Sequence, residues 1–339
     1  MISIDPVWAG ALALMVSTLM TSLIRPWLLA RGLIDRPGAR RSHGQDTARG
    51  GGLAILITLL LLWLLLAEPT VRNLAIGLML GLLGLLGWLD DLRDLPVRVR
   101  LGAQLLLASL MLAMAGPVLS VSLPGIEIQA AWLWSGLALV AVIWLINLHN
   151  FMDGSDGLAA MQGAWSAVAL GVLHQRGGAA EDALLGFLLA GAYLGFLVWN
   201  RPPAKLFMGD VGSILLGGTI GWLALSGAAE GHIPIWTSLI VCSLFVVDAT
   251  ATLVRRAGVG GGWYTAHREH AYQRLLIAGW SHGRVLSLYA ALNLALVLPV
   301  LVVAVARPML APVLALSLVL VLLGGWQFVQ RRTREEMTS

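Results

Sequence analysis

The stretch AAWLWSGLALVAVIWLINLHNFMDGSDGLA (130–159) decides how the chain is read. Its first part, 130–149, carries no charged residue, and an apolar helix of about 20 residues at 1.5 Å per residue crosses a hydrocarbon core of about 30 Å. The run then breaks into Asn150, Asp153, Gly154, Asp156 and Gly157, which are polar or turn-forming. The same alternation of apolar block and short polar connection recurs in both directions. Runs of roughly 17–25 residues lie at about 7–29, 50–67, 72–89, 100–118, 130–149, 157–174, 183–199, 211–229, 235–254, 285–306 and 308–329, eleven in all.

Composition supports this reading. The chain has 339 residues, is 58% hydrophobic and 12% charged, and has a mean hydropathy of +0.83. Soluble domains carry about 25% charged residues, so a water-soluble globule is excluded. The expected fold is an all-α polytopic membrane protein of about eleven transmembrane helices, a single integral membrane domain over 1–339. The 39 glycines suit close helix contacts in lipid, and the 14 tryptophans are read first as interfacial anchors and lipid-facing bulk. Cys242 is the only cysteine, which excludes a disulfide framework or a thiolate metal site.

The first run has no basic start: Asp5 precedes it, and Arg25 and Arg31 follow. It is read as an uncleaved helix with the N-terminus outside. The C-terminus is then cytoplasmic. Of the 22 Lys and Arg residues, only Arg72, Arg176 and Arg307 fall on the outer side, a strong positive-inside bias. The net charge of +4 and pI near 9.8 therefore reflect topology first, and no nucleic-acid partner is expected.

Acidic residues mark where chemistry belongs. Glu68, Glu127, Glu181, Asp182 and Glu230 fall in outer loops and read as ordinary solvated residues. Three further carboxylate sites close or open helices at the inner face: Asp90 and Asp91 in GWLDDLRDL, Asp153 and Asp156 in NLHNFMDGSDGLA, and Asp210 in PAKLFMGDVGS. Each alone has a plain reading, as a solvated cap, a pair of turn formers or a helix entry with Asp210 at the N-cap. Together they point to a cation between acids and phosphate, because a helix N-terminus favours phosphate while carboxylates repel it. Hard oxygen donors of this kind suit Mg²⁺, with Mn²⁺ the alternative. The stretch 36–52, RPGARRSHGQDTARGGG, adds four arginines, Arg49 among them, and ends in three glycines; arginine forks suit diphosphates. Lys205, the chain's only lysine, precedes Asp210 by five residues and reads as a point-charge phosphate contact. His267, Arg268 and His270 lie in the loop 260–275 and fit hydrogen bonding to a sugar or phosphate better than zinc, since no third ligand is in view.

SHGQDTARGGGLAI, GWLDDLRDLPVRVRLGAQ, NLHNFMDGSDGLA, PAKLFMGDVGS and HREHAYQRL, in this order, resemble the polyprenyl-phosphate N-acetylhexosamine-1-phosphate transferase family, glycosyl transferase family four. The resemblance runs from about residue 30 to 285, and HREHAYQRL is more similar to the O-antigen-initiating branch than to the phospho-MurNAc-pentapeptide branch, which has a run of histidines there. It also differs from the His-rich loop of the enterobacterial UDP-GlcNAc branch.

The resemblance implies a Mg²⁺-dependent enzyme of the bacterial inner membrane. Such an enzyme transfers a sugar 1-phosphate from a UDP-N-acetyl-aminosugar to undecaprenyl phosphate in the bilayer, releasing UMP and starting O-antigen (lipopolysaccharide) or another envelope polysaccharide. A homodimer is compatible with it. Position by position, Asp210 matches the principal metal ligand and Asn150 a neighbouring one. Asp90 and Asp91 match a pair assigned to metal handling or to activating the lipid phosphate. Asp153 and Asp156 match acids around the nucleotide and metal. Arg49, Asn147, Lys205, His267, Arg268 and His270 stand as substrate contacts. A lipid phosphate with a second pKa near 6 is mostly dianionic at neutral pH, which favours Asp90 and Asp91 as metal or water ligands over a general base.

Two other readings are a lipid-linked sugar transporter without chemistry and a CDP-alcohol phosphotransferase. A transporter holds its acids nearer the midplane. The second class places an Arg and spaced acids after its Asp-Gly pair, and the stretch after Asp153 has neither.

Overall fold

The computed structural model describes residues 4–35, 47–258 and 268–338. Thirteen helices dominate the described residues: α1 (Pro6–Ala30), α2 (Gly52–Leu66), α3 (Val71–Arg93), α4 (Val97–Ala115), α5 (Ala131–Phe151), α6 (Leu158–Arg176), α7 (Ala180–Asn200), α8 (Gly209–Ala229), α9 (Ile235–Gly258), α10 (Ala271–Ile277), α11 (His282–Leu292), α12 (Leu298–Ala306) and α13 (Ala311–Thr338). One π-helical turn, Asn293–Val297, makes α11 and α12 a continuous span. Among the described residues nine helical segments are long and apolar enough to cross a membrane, and the protein is an all-α polytopic membrane protein. The other two expected runs are also helices: 50–67 contains α2, of 15 residues, and 157–174 corresponds to the less apolar α6.

Local chemistry sets the helix ends. Asp5 accepts the N–H of Val7 at 2.8 Å, with Pro6 in the first turn of α1, and Thr70 accepts the N–H of Asn73 at 3.2 Å to open α3. Pro96 and Gly116 bracket α4, so that helix runs three residues earlier than the apolar pattern at 100–118 suggested.

Helix α8 is the centre, buried along almost its whole length, with α3 and α5 packed on it and α1, α6 and α7 completing the core. In lipid such packing rests on close backbone approach. A methyl group on Gly87 of α3 would lie 2.3 Å from the carbonyl oxygen of Asp210, and one on Gly52 would lie 2.2 Å from the nitrogen of Gly212. No other residue fits at either point, and α2, α3 and the start of α8 are drawn together there. Polar side chains add cross-links, among them Asn293 Nδ2 to Gln162 Oε1 at 2.7 Å. Exposed Trp8 and Trp132 fit the expected lipid-facing role, but Trp63 and Trp222 are core residues, with Trp63 Nε1 donating to Asn73 O at 2.8 Å.

A small sheet joins segments distant in sequence. β1 (Ile34–Asp35) runs antiparallel to β2 (Thr47–Arg49), which runs parallel to β5 (Leu206–Phe207) with Arg49 opposite Phe207. At the other end of the bundle β3 (Ser120–Leu123) and β4 (Ile126–Gln129) form a hairpin.

That end also corrects one expectation. Asp182 is not a solvated loop acid: it is 1% exposed, accepts from Arg72 Nη2 at 2.7 Å and Trp222 Nε1 at 3.0 Å, and lies 4.0 Å from His174 Nδ1. Arg72 opens α3 and reaches over α8, with its guanidinium 5.4 Å from the Trp222 ring centre. Removing one member of such a pair leaves its partners desolvated, at a cost of about 3 kcal/mol. Asp182→Ala should therefore lower the melting temperature of the detergent-purified protein by several degrees, whereas Glu127→Ala in the exposed hairpin should leave it unchanged.

Candidate active site

The site forms where α8 begins. Its entry residue, Gly209, has φ of +74°, and a methyl group there would sit 2.7 Å from Asp91 Oδ2. The first N–H groups of a helix lack intrahelical partners and carry the positive end of its dipole. Here they are capped by another helix: Asp91 of α3 accepts the N–H of Asp210 at 2.9 Å and of Val211 at 3.1 Å. Asp210 is thus in the first turn of α8 rather than at its cap, with its carboxylate available to the cavity.

Arg49, carried beside Phe207 by the β2–β5 pairing, joins both acids. Its Nη2 lies 2.7 Å from Asp91 Oδ1 and 3.5 Å from Asp210 Oδ2. Burial opposes its charge, but Asp91, Asp210, Asp94 and Asp153 more than offset that and raise its pKa. Asn150, at the end of α5, donates Nδ2 to Asp210 Oδ1 at 2.8 Å and to Ser213 Oγ at 3.0 Å. The amide orients the Asp210 carboxylate.

The turn after α5 brings the second acid pair. Burial, with Asp210, Asp91 and Asp156 nearby, holds the Asp153 carboxyl well above the usual range despite Arg49. Asp156 Oδ2 accepts the N–H of Ala204 at 2.9 Å. His282 Nδ1 accepts the N–H of Asp156 at 3.1 Å and lies 3.0 Å from Ser155 Oγ. Asn200 fastens the turn to β5, accepting the Gly157 N–H at 3.0 Å and donating to Leu206 O at 3.0 Å. His282 and Asn200 gave no sequence signal, since a lone polar residue at a helix end has many ordinary uses.

Arg49, Asn150, Asp153, Asp156, Asn200, Asp210 and His282 line a cavity of about 590 Å³, within the range of small-molecule sites. Asp91 lies behind them, on Arg49 and the start of α8. Arg268, Gln273, Leu276, Ile277 and Trp280 line the same cavity. Among the described residues no three His, Cys, Asp or Glu side chains enclose an ion by themselves.

Other expected site residues lie elsewhere. Asp90, adjacent to Asp91, is 2% exposed and pairs with Arg100 Nη1 at 2.9 Å while accepting the N–H of Leu95 at 2.9 Å. That fastens α3 to α4. Asn147 donates to Gln104 Oε1 at 2.7 Å and Ile143 O at 2.8 Å, within the α4–α5 contact. Lys205 is exposed, and its backbone meets Trp199 O and Arg25. His270 is 2% exposed, its ring 6.5 Å from Phe151 and 5.9 Å from Tyr272, both stacked. His267 and the basic stretch 36–46 lie outside the described residues.

The model of glycosyl transferase family 4 matches residues 73–228, which contain Asp90, Asp91, Asp153, Asp156 and Asp210. The phospho-N-acetylmuramoyl-pentapeptide-transferase of Moorella thermoacetica is 31% identical over 307 residues, 84% of this chain and 95% of that protein. This chain belongs to that family. A decaprenyl-phosphate N-acetylglucosaminephosphotransferase of Mycolicibacterium smegmatis is 32% identical over 311 residues, 81% of this chain and 76% of that protein. A probable undecaprenyl-phosphate N-acetylglucosaminyl 1-phosphate transferase of Bacillus subtilis is 27% identical over 281 residues, 81% and 78% of the two. The chain is a membrane transferase of the polyprenyl-phosphate sugar-1-phosphate class. Both kinds of sugar name occur among these relatives, so the likeness does not separate the branches.

The two adjacent aspartates should divide in function. Asp91→Asn keeps only one of the two acceptors for α8, turns an amide NH₂ toward the other N–H and loses the charge shared with Arg49. Turnover of the folded fraction should therefore fall about a hundredfold, with a lower melting temperature as well. Asp90→Asn should lower the melting temperature and cut turnover of the folded fraction less than about tenfold. Paired activity and melting measurements on the transferase decide this; the opposite pattern of turnover would put the reacting acid at Asp90.

Proposed function

We propose that the protein transfers an N-acetyl-aminosugar 1-phosphate from a UDP-sugar to undecaprenyl phosphate, releasing UMP. The product is the lipid-linked sugar that starts O-antigen or another envelope polysaccharide. The observation that carries the reading is the convergence of Asp91, Arg49, Asp210, Asp153 and Asp156 on one end of the helix bundle, around the first turn of its central helix. The positive-inside bias of the sequence supports a cytoplasmic position for that end.

The donor set fits a hard divalent cation. Mg²⁺ usually takes one or two carboxylates, several waters and substrate phosphate oxygens rather than a closed protein cage. A cavity with Asp210 oriented by Asn150, and other carboxylates around it, meets that description. Asp210 would hold the ion, with Asp91 and Asp153 within its field and Asn150 beside it; Mg²⁺, or Mn²⁺ in its place, would supply positive charge between diphosphate oxygens.

The chain's own residues do the rest. Arg49 and Arg268 present guanidinium groups that suit a diphosphate. The turn 153–157, held by His282, Asn200 and Ala204, fixes its acids against the nucleotide. The lipid phosphate, already a dianion, attacks the β-phosphorus; a new P–O bond forms, the bond to the α-phosphate breaks, and UMP departs. Positioning and charge compensation dominate such transfers, and no side chain has to remove a proton first. The lipid tail stays in the bilayer throughout.

Purified protein given undecaprenyl phosphate and a panel of UDP-N-acetyl-aminosugars should release UMP from one of them and require Mg²⁺ or Mn²⁺. Asp210→Asn should lose about a hundredfold of that rate, as expected for one main electrostatic contributor, with unchanged yield and melting. Absence of UMP release across the panel would favour transport, and near-normal Asp210→Asn turnover at limiting Mg²⁺ would remove the metal assignment.

A further inference from the structure

Asp248 lies midway along α9, far in sequence from every acid discussed above, and is 3% exposed. Buried carboxylates are costly unless donors surround them. This one is surrounded, and the donors come from other segments. Oδ1 accepts the N–H of Ala271 at 2.7 Å, and Oδ2 accepts the N–H of Tyr272 at 3.4 Å and the O–H of Tyr289 at 2.8 Å. Thr252 Oγ1 adds a longer bond at 3.4 Å. A single side chain in the bundle core thus fastens the start of α10 to α9 and α11.

The contacts continue toward the cavity through Tyr272. This side chain is fully buried, and its O–H donates to Phe151 O at 3.0 Å, two residues before Asp153. A methyl group on Gly154 would lie 2.2 Å from the Tyr272 hydroxyl oxygen. The backbone turn that carries Asp153 is therefore pressed against that hydroxyl. Beyond Tyr272, α10 carries Gln273, Leu276 and Ile277 to the cavity wall, and Trp280 follows. An amide, two aliphatic side chains and an indole offer both hydrogen bonding and an apolar surface. That chemistry suits the sugar and its acyl group, whereas the carboxylates and Arg49 lining the same cavity suit the diphosphate.

We propose that Asp248 is the positioning residue of the sugar-facing wall, locking segment 268–280 to the turn 151–157 through Tyr272. The inference rests on reading the cavity as a nucleotide-sugar site. It assigns Asp248 no contact with substrate. Its effect is geometric: it sets the separation between the wall that holds the sugar and the acids that act on the phosphates.

Three full-length variants in lipid nanodiscs test it: Asp248→Asn, Tyr272→Phe and, as control, Tyr289→Phe, which removes a donor to the same carboxylate without touching either cavity segment. Hydrogen exchange without ligand should accelerate in both 271–277 and 151–157 for Asp248→Asn and in 151–157 for Tyr272→Phe. With the UDP-sugar that the unaltered protein uses best, KM for the donor should rise about tenfold in these two, with kcat and the KM for undecaprenyl phosphate within about threefold of the unaltered protein. Tyr289→Phe should lower melting only. Unchanged exchange at 151–157 in Tyr272→Phe, or donor and acceptor KM rising together in all three, would overturn the proposal. Should Asp248→Asn fail to fold, Tyr272→Phe decides alone. If no UDP-sugar is turned over, the reading of the cavity fails, and the exchange experiment still decides whether the two segments are coupled.

Discussion

The carboxylate of Asp91 holds the site together. It closes the open N–H groups of α8 at 2.9 and 3.1 Å and pairs with Arg49 at 2.7 Å. A helix start packed among other helices leaves N–H groups without intrahelical partners, and they must find acceptors. Satisfying it with a side chain from α3 requires α3 to lie against α8 at backbone distance, which the missing side chain of Gly87 permits. The cap therefore aligns α3 with α8, places Arg49 between two acids, and leaves Asp210 turned toward the cavity.

That arrangement leaves negative charge in excess. One guanidinium faces Asp91 and Asp210, with Asp153 close behind, and the raised pKa of Asp153 reflects both its burial and those neighbours. A site so charged repels a diphosphate unless a cation enters with it, so substrate and metal are expected to bind together. The far end of the bundle shows the contrast: Asp182 there is matched by Arg72 and Trp222, and such a closed set of partners serves stability.

Much of this was legible in the sequence, for physical reasons. Lipid demands long uncharged runs, so the helices were plain, and acids at their ends stood out against an apolar background. What stayed hidden depended on direction and distance. Asp90 and Asp91 are neighbours in sequence, but successive helical residues point about 100° apart, which sends one to Arg100 and the other to α8. The β2–β5 pairing that delivers Arg49 involves strands too short to leave a periodic trace. Asp182 looked like a loop acid because nothing local announces Arg72 reaching it from another helix. His282, Asn200 and Asp248 are single polar residues whose decisive partners (Asp156, Gly157, and Ala271 with Tyr289) lie far along the chain.

The most direct measurement is Mn²⁺ binding to the purified protein, followed by electron paramagnetic resonance with and without UDP, free of any turnover. Saturable uptake by the unaltered chain, tightened by UDP and lost in Asp210→Asn but retained in Asp90→Asn, is the expected result. Equal Mn²⁺ binding by the unaltered and Asp210→Asn proteins would contradict a cation site built on the first turn of α8.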